Sequence, residues 1–353
     1  MVIKMNTKII RINELDDTAL QEAGLVLQQG GLVAFPTETV YGLGGDALNK
    51  ESSRKIYAAK GRPSDNPLIV HIADMEALAP IVKEVTPEAE KIAQSFWPGP
   101  LTMILPKADK VPYETTGGLD TVAVRMPSHP IARKLIKYGG GYVAAPSANT
   151  SGKPSPTVAK YVIEDMDGRV DMILDGGEVG IGLESTIIDL TVTPPQILRP
   201  GYVTLDMLEE VLGQVDVDKT ILSNESGLAP KAPGMKYRHY APAGELTIVS
   251  GETSRVIAYI NKETQILQTG GQKVGVIGSL ETTDEYKADV VKNIGSRQDE
   301  ESIAKNLYRI LREFDDEKVE VIFSESFSGT GMGQAIMNRL LKAAGHKIIH
   351  LEK

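Results

Sequence analysis

The sequence predicts an α/β protein in two parts: a mixed or parallel sheet covered by helices over residues 1–212, then a second, smaller α/β domain over residues 244–353. Three observations predict it. Short β-rich apolar runs alternate with helical patterns, the order that builds layered α/β domains. Apolar periodicity fades after Leu212 and resumes at Leu246. A chain of 353 residues suits about two domains at roughly 150 residues each.

In chain order, residues 32–35 (LVAF), 68–72 (LIVHI), 101–105 (LTMIL), 121–125 (TVAVR), 142–145 (YVAA), 172–174 and 185–190 read as strands. Arg199 ends another, in ILRPG. Helices between them carry start signals. Thr86 is placed as an N-cap with Pro87 in the first turn, and Ala89, Ile92, Ala93 and Phe96 share one face. Thr157 and Thr204 are expected to cap two more helices, with acids following in the first turn. One helix is expected to end at Lys60, with Gly61 as its C-cap. Residues 213–243 hold KAPGMKYRHYAPA, rich in Pro and Gly, and read as an extended linker. Residues 246–249, 273–277 and 319–323 are then expected as strands, and 302–314 as a helix with Ile303, Leu307, Ile310, Leu311 and Phe314 on one stripe.

Bulk numbers exclude several classes. There is no cysteine, so disulfides, thiolate metal sites and a cysteine nucleophile are ruled out. Net charge is -9, with 20 Lys and Arg against 27 Asp and Glu in residues 1–210 and 18 against 20 in the rest. Neither half is basic, which argues against a protein whose main task is to grip a nucleic-acid backbone. The N-terminus lacks a signal-peptide apolar stretch, and no run of about 18 apolar residues exists, so a cytoplasmic protein is expected.

Chemistry concentrates at strand ends. The strand of residues 32–35 stops at Pro36, and a hydroxyl-rich turn with Thr39 follows. This is either a plain exit loop or a ligand pocket, since open α/β sheets bind ligands at strand ends. Lys60 and Arg62 enter a Pro-bracketed loop with Asp65 and Asn66. Two cations there suit a polyphosphate, although a basic helix C-terminus also complements the macrodipole. His71 alternates with apolar neighbours and reads as a core histidine or a ligand contact. Arg125 ends an apolar strand, and a buried arginine needs a partner: a carboxylate of the fold or of a substrate. The segment APSANTSGKPSP (145–156) imitates a phosphate loop, but Ser147 stands at the upstream glycine position and Pro154 follows Lys153. Lys231, Lys236, Arg238 and His239 cluster in the linker as a solvated tether or a flap over an anion. GTGMG (329–333) lacks full dinucleotide spacing, and His346 and His350, with no third ligand, read as structural.

In order along the chain, PTETVYGL, KGRPSDNPLIVHI, WPGPLT, TVAVRMP, APSANTSGKPSPT, ESTIID and LRPG closely resemble the YrdC-type threonylcarbamoyl-AMP synthases. APGMKYRHYAP and GMGQAIMNRL resemble their longer, two-domain form. The resemblance implies a twisted mixed open sheet with a large concave pocket, a smaller Rossmann-like domain, and a linker acting as a lid. It implies an ATP-dependent synthesis of L-threonylcarbamoyl-AMP from L-threonine and bicarbonate or CO2, with release of pyrophosphate. Downstream tRNA threonylcarbamoyl-transferase proteins then modify adenosine 37 of tRNAs reading codons that begin with A. Carried over by position, L-threonine is expected at Thr39, His71, Arg125, Ser185 and the backbone of Ala145. ATP is expected at Lys60, Arg62, Asn66, Thr121, Ser147, Ser155, Arg199 and Tyr240, with Lys60, Arg62 and Arg125 in the catalytic role. Magnesium is expected to arrive with ATP, without a dedicated protein metal site. Contact with tRNA itself is left open. An RNA-binding or ribosome-maturation module using the same pocket is the competing reading, weakened by the acidic charge.

Overall fold

A computed structural model describes residues 6–13, 16–221 and 239–352. The linker residues Lys231, Lys236 and Arg238 lie outside the described residues. By contact the described residues fall into two units, one within Met1–Ser151 and Ser155–Lys236, the other within Gly152–Pro154 and Tyr237–Lys353.

The first unit runs β1 (Lys8–Arg11), α1 (Asp17–Gln28), β2 (Val33–Phe35), β3 (Gly42–Asp46), α2 (Lys50–Lys60), β4 (Ile69–His71), α3 (Pro87–Phe96), β5 (Leu101–Pro106), α4 (Tyr113–Thr116), β6 (Thr121–Arg125), α5 (Pro130–Tyr138), β7 (Val143–Ala144), α6 (Ala159–Met166), β8 (Met172–Asp175), β9 (Thr186–Asp189), β10 (Gln196–Arg199), α7 (Leu205–Leu212) and β11 (Asp216–Val217). Its eleven strands form one sheet in the order β1-β8-β2-β3-β7-β4-β6-β5-β9-β10-β11. The sheet is mixed: β4 pairs parallel with β6, whereas β7 with β4 and β5 with β6 are antiparallel. Both faces are covered. Leu32 and Ala34 join one apolar cluster while Val33 and Phe35 join another. Successive strand residues point to opposite faces, so two buried faces explain a continuous apolar run.

Local rules account for several boundaries. Thr86 Oγ1 accepts from the Ala89 N–H with Pro87 opening α3, and Thr204 caps α7 in the same way. Gly61 ends α2 at φ 61°, a left-handed conformation that glycine adopts without Cβ strain. Thr157 is a correction. Val158 is the N-cap of α6, no side chain caps it, and no acid follows in the first turn. Thr157 lies one residue too early, its carbonyl held by the Val179 N–H at 3.0 Å. Strand β3, GLGGD, was not expected from its composition. A Cβ at Gly44 would lie 2.9 Å from both the Phe35 ring and Val143, so glycine is what lets these strands pack.

The second unit runs β12 (Glu245–Ser250), α8 (Thr253–Thr269), β13 (Val274–Gly278), β14 (Val290–Asn293), α9 (Glu300–Asp316), β15 (Val321–Glu325), α10 (Gly331–Ala343) and β16 (Ile348–His350). Its five strands, ordered β14-β13-β15-β12-β16, are all parallel, as a Rossmann-like sheet requires. The GTGMG segment leads from β15 into α10, and the Gly333 N–H donates to Glu300 Oε2 at 2.9 Å. The Glu300 carboxylate thus sits at the N-terminal turn of α10, a helix end that favours an anion.

Candidate active site

The strand ends of the first unit gather the residues singled out by the sequence. Registry aligns His71, the last residue of β4, with Arg125, the last of β6, and sets Thr102 of β5 on the other side of Arg125. Thr39 follows β2, Ala145 follows β7, Ser185 precedes β9 and Arg199 ends β10.

Arg125 is 4% exposed and does have a carboxylate of the fold as partner. Its Nη2 donates to Glu38 Oε1 at 2.6 Å, its Nη1 to Thr39 Oγ1 at 2.9 Å, and its Nε to the Gly99 carbonyl at 3.4 Å. Burial pushes the Glu38 carboxyl up, but the Arg125 charge and hydrogen bond, helped by nearby backbone N–H groups, hold it below its ordinary value. The hydroxyl protons can be placed by elimination. Thr37 donates to the Val40 carbonyl at 2.6 Å, so in the 2.9 Å pair of Thr37 and Thr39 it is Thr39 that donates. Thr39, already accepting from Arg125, keeps one lone pair for a ligand donor.

His71 is 3% exposed, and its Nδ1 lies 3.1 Å from the Ile69 carbonyl. A carbonyl only accepts, so Nδ1 carries the proton. Burial, then the Arg125 charge, push the imidazole pKa down to about 3, so it is neutral at working pH. Unfolded histidine titrates near 6.5 and takes up a proton between pH 6.5 and 3 that the folded form refuses, so stability falls as pH drops through that window. The expected slope is about 1.4 kcal/mol per pH unit. Urea unfolding across this range should show that slope in the wild type and a shallower one in His71→Asn.

On the far side of Arg125, Ser185 Oγ pairs with Thr102 Oγ1 at 2.7 Å and receives Arg199 Nη2 at 3.1 Å, while Arg199 Nε donates to the Ser185 carbonyl at 3.0 Å. The Ala145 N–H is committed to the Ile69 carbonyl at 2.9 Å, so only the Ala145 carbonyl can serve a ligand, and it serves a donor.

The loop residues depart from the sequence picture. Lys60 is not released into the loop after α2. It is 3% exposed, and its ammonium donates to the Ser147 carbonyl and, at 2.5 Å, to that of Asn149. Two carbonyls of a tight loop outcompete solvent for a compact cation. Arg62 folds onto its own loop, donating to the Asn66 and Pro67 carbonyls. Asn66 is 1% exposed, and its Oδ1 has no hydrogen-bond partner, which leaves a buried acceptor for a ligand donor. The serine hydroxyls are occupied: Ser147 donates to Asn149 Oδ1 at 2.5 Å and Ser155 to Glu184 Oε1 at 2.6 Å. As arranged they offer lone pairs, which suit a ribose hydroxyl better than a phosphate oxygen. Thr121 starts β6 while Arg125 ends it, so the two Cα atoms stand roughly 13 Å apart and only an extended ligand touches both. Tyr240 belongs to the second unit, where it stacks on Tyr308 with ring centroids 5.1 Å apart.

Glu38, Thr102, Asn149 and Glu184 were missed by the sequence reading. A threonine inside the buried LTMIL strand was the readable signal for Thr102; nothing local marked Glu38 as the partner of Arg125.

Buried arginines and hydroxyls at adjoining strand ends suit an α/β enzyme in which alignment and charge do the work. The profile described as Telomere recombination (Sua5_yciO_yrdC) matches residues 25–201, and that of the threonylcarbamoyl-AMP synthase C-terminal domain matches residues 203–345. The threonylcarbamoyl-AMP synthase of Bacillus subtilis is 49% identical over 335 residues, covering 95% of each chain. That of Schizosaccharomyces pombe is 39% identical, covering 93% of this chain and 88% of its own. The crystal structure of Pyrococcus abyssi Sua5 complexed with L-threonine superimposes with a TM-score of 0.92 at 47% identity, covering 99% of this chain and 100% of that one. The chain belongs to the threonylcarbamoyl-AMP synthase family.

Proposed function

We propose that this protein uses ATP to convert L-threonine and CO2 or bicarbonate into L-threonylcarbamoyl-AMP, with release of pyrophosphate. The observation that carries this reading is the Arg125 cluster: a buried guanidinium bonded to Glu38 and Thr39, on a strand between His71 and Thr102, with Thr102 joined through Ser185 to Arg199. The threonine carboxylate pairs with Arg125, and the Ala145 carbonyl and the lone pair of Thr39 accept its donors. Arg199 links Ser185 to the ATP side, where Arg62, Asn66, Thr121, Ser147 and Ser155 are the assigned contacts. Lys60 acts through the loop it anchors.

The threonine ammonium gives up a proton, the neutral amine attacks CO2, and a second N–H proton passes to solvent to leave the carbamate. A carbamate oxygen then attacks the α-phosphorus of ATP, and pyrophosphate departs. Neither step needs a covalent enzyme intermediate, and displacement at phosphorus is catalysed mainly by positioning and charge neutralisation. Magnesium carried by the ATP phosphates would supply further charge neutralisation. No helix among the described residues is long and apolar enough to cross a membrane. The product is handed to tRNA threonylcarbamoyl-transferase proteins in the cytoplasm.

The test is product analysis by mass spectrometry after incubation with L-threonine, bicarbonate, ATP and magnesium. Threonylcarbamoyl-AMP and pyrophosphate are expected, each requiring threonine. ATP turnover indifferent to threonine would reject the reading.

A further inference from the structure

Glu38 is assigned no contact with threonine in the reading above, yet at 2.6 Å it lies closer to the Arg125 guanidinium than Thr39 Oγ1 or the Gly99 carbonyl does. Its side chain is 13% exposed, and one oxygen, Oε1, is spent on the guanidinium at 2.6 Å. The other, Oε2, is out of contact with solvent and has no hydrogen-bond partner. The backbone N–H groups of Glu38 and Ser128 favour its charge without either meeting hydrogen-bond geometry at Oε2. A buried carboxylate oxygen with nothing to accept is costly and calls for an explanation.

Charge balance supplies one. Free L-threonine is a zwitterion at neutral pH, so two opposite charges enter the site together. Arg125 offsets the carboxylate. The other groups assigned to threonine are uncharged: Thr39, the Ser185 hydroxyl, the Ala145 carbonyl, and a His71 imidazole whose pKa lies near 3. None of them offsets an ammonium. Glu38 does, and it sits against the group that holds the carboxylate, as the amine sits against the carboxylate in any α-amino acid. A buried ion pair is the electrostatic complement of a zwitterion. Resting on the proposed function, we infer that Glu38 is a specificity-determining residue that recognises the free α-amine of the substrate, Oε2 accepting its N–H while Oε1 stays on Arg125.

The inference separates two roles that a simple loss of activity would merge. If Glu38 only steadies Arg125, every ligand with the threonine carboxylate suffers equally when it is changed. If it reads the amine, only ligands bearing the amine suffer. Calorimetric titration with L-threonine and with 2,3-dihydroxybutanoate, in which a hydroxyl replaces the amine, distinguishes them. The wild type is expected to prefer threonine by at least about tenfold, the scale of one charge-assisted bond. Glu38→Gln is expected to lose at least about tenfold in threonine affinity and under about threefold for the hydroxy analogue, so that the preference collapses. Unchanged ATP affinity and a cooperative thermal melt would show that the variant is folded. Equal weakening of both ligands, or a preserved preference, would overturn the inference. A wild type that does not discriminate between the two ligands overturns it regardless of how the variant folds. A wild type that binds no threonine at all sinks the proposed function instead.

Discussion

Arg125→Ala is expected to lose at least about tenfold in threonine-dependent ATP turnover, because one charge-assisted contact is worth roughly 1.5–3 kcal/mol. The same change is expected to destabilise the fold. The side chain is 5% exposed and pairs with a Glu38 that is 13% exposed. Removing one member of a buried ion pair leaves an uncompensated charge and costs about 3–5 kcal/mol. Urea unfolding measures this directly. The carboxyl of Glu38, now held down by Arg125 against its burial, should move above its ordinary value. Adding Glu38→Gln removes the stranded charge. The double variant should therefore regain most of the lost stability while turnover stays low. A double variant as unstable as the single one would show that packing, not charge, sets the cost.

Lys60→Met should produce the second large effect, and through a different route. The ammonium holds the carbonyls of Ser147 and Asn149, 89 residues along the chain in the latter case. Methionine fills much of the same space but donates nothing. Two buried carbonyls then lose their donor, at about 1–3 kcal/mol each. The loop carrying Ser147 should loosen, and ATP affinity should fall about tenfold, with threonine affinity changed little. Denaturant unfolding and ATP titration check both halves. A folded Lys60→Met variant with wild-type ATP affinity would remove Lys60 from the site, as anchor or as contact.

These expectations depend on a division of labour inside the site. Glu38 and Thr39 bond the Arg125 guanidinium, whose strand lies between those of His71 and Thr102, and Thr102 leads through Ser185 to Arg199. Ser185 joins Thr102 to Arg199, since its hydroxyl meets both and its carbonyl accepts from Arg199 Nε. Chemistry between two substrates requires such a junction, because reacting atoms must be brought to roughly 3 Å and held there.

The sequence by itself determined most of the strands and the family. Alternation of apolar residues placed most of the strands that carry the site, and Thr86, Thr204 and Gly61 bounded their helices correctly. It also determined that Arg125 would be buried and paired. Only the tertiary structure decided with what. Glu38 and Arg125 are 87 residues apart, and Thr102 and Ser185 are 83 apart. The glycine strand β3 and the inward turn of Lys60 were decided the same way, by Phe35 and Val143 in one case and by two distant carbonyls in the other. The physical reason is one of range. Periodicity reports which face of a single element is buried, whereas a hydrogen-bond partner is chosen by the register between strands that meet only when the sheet closes.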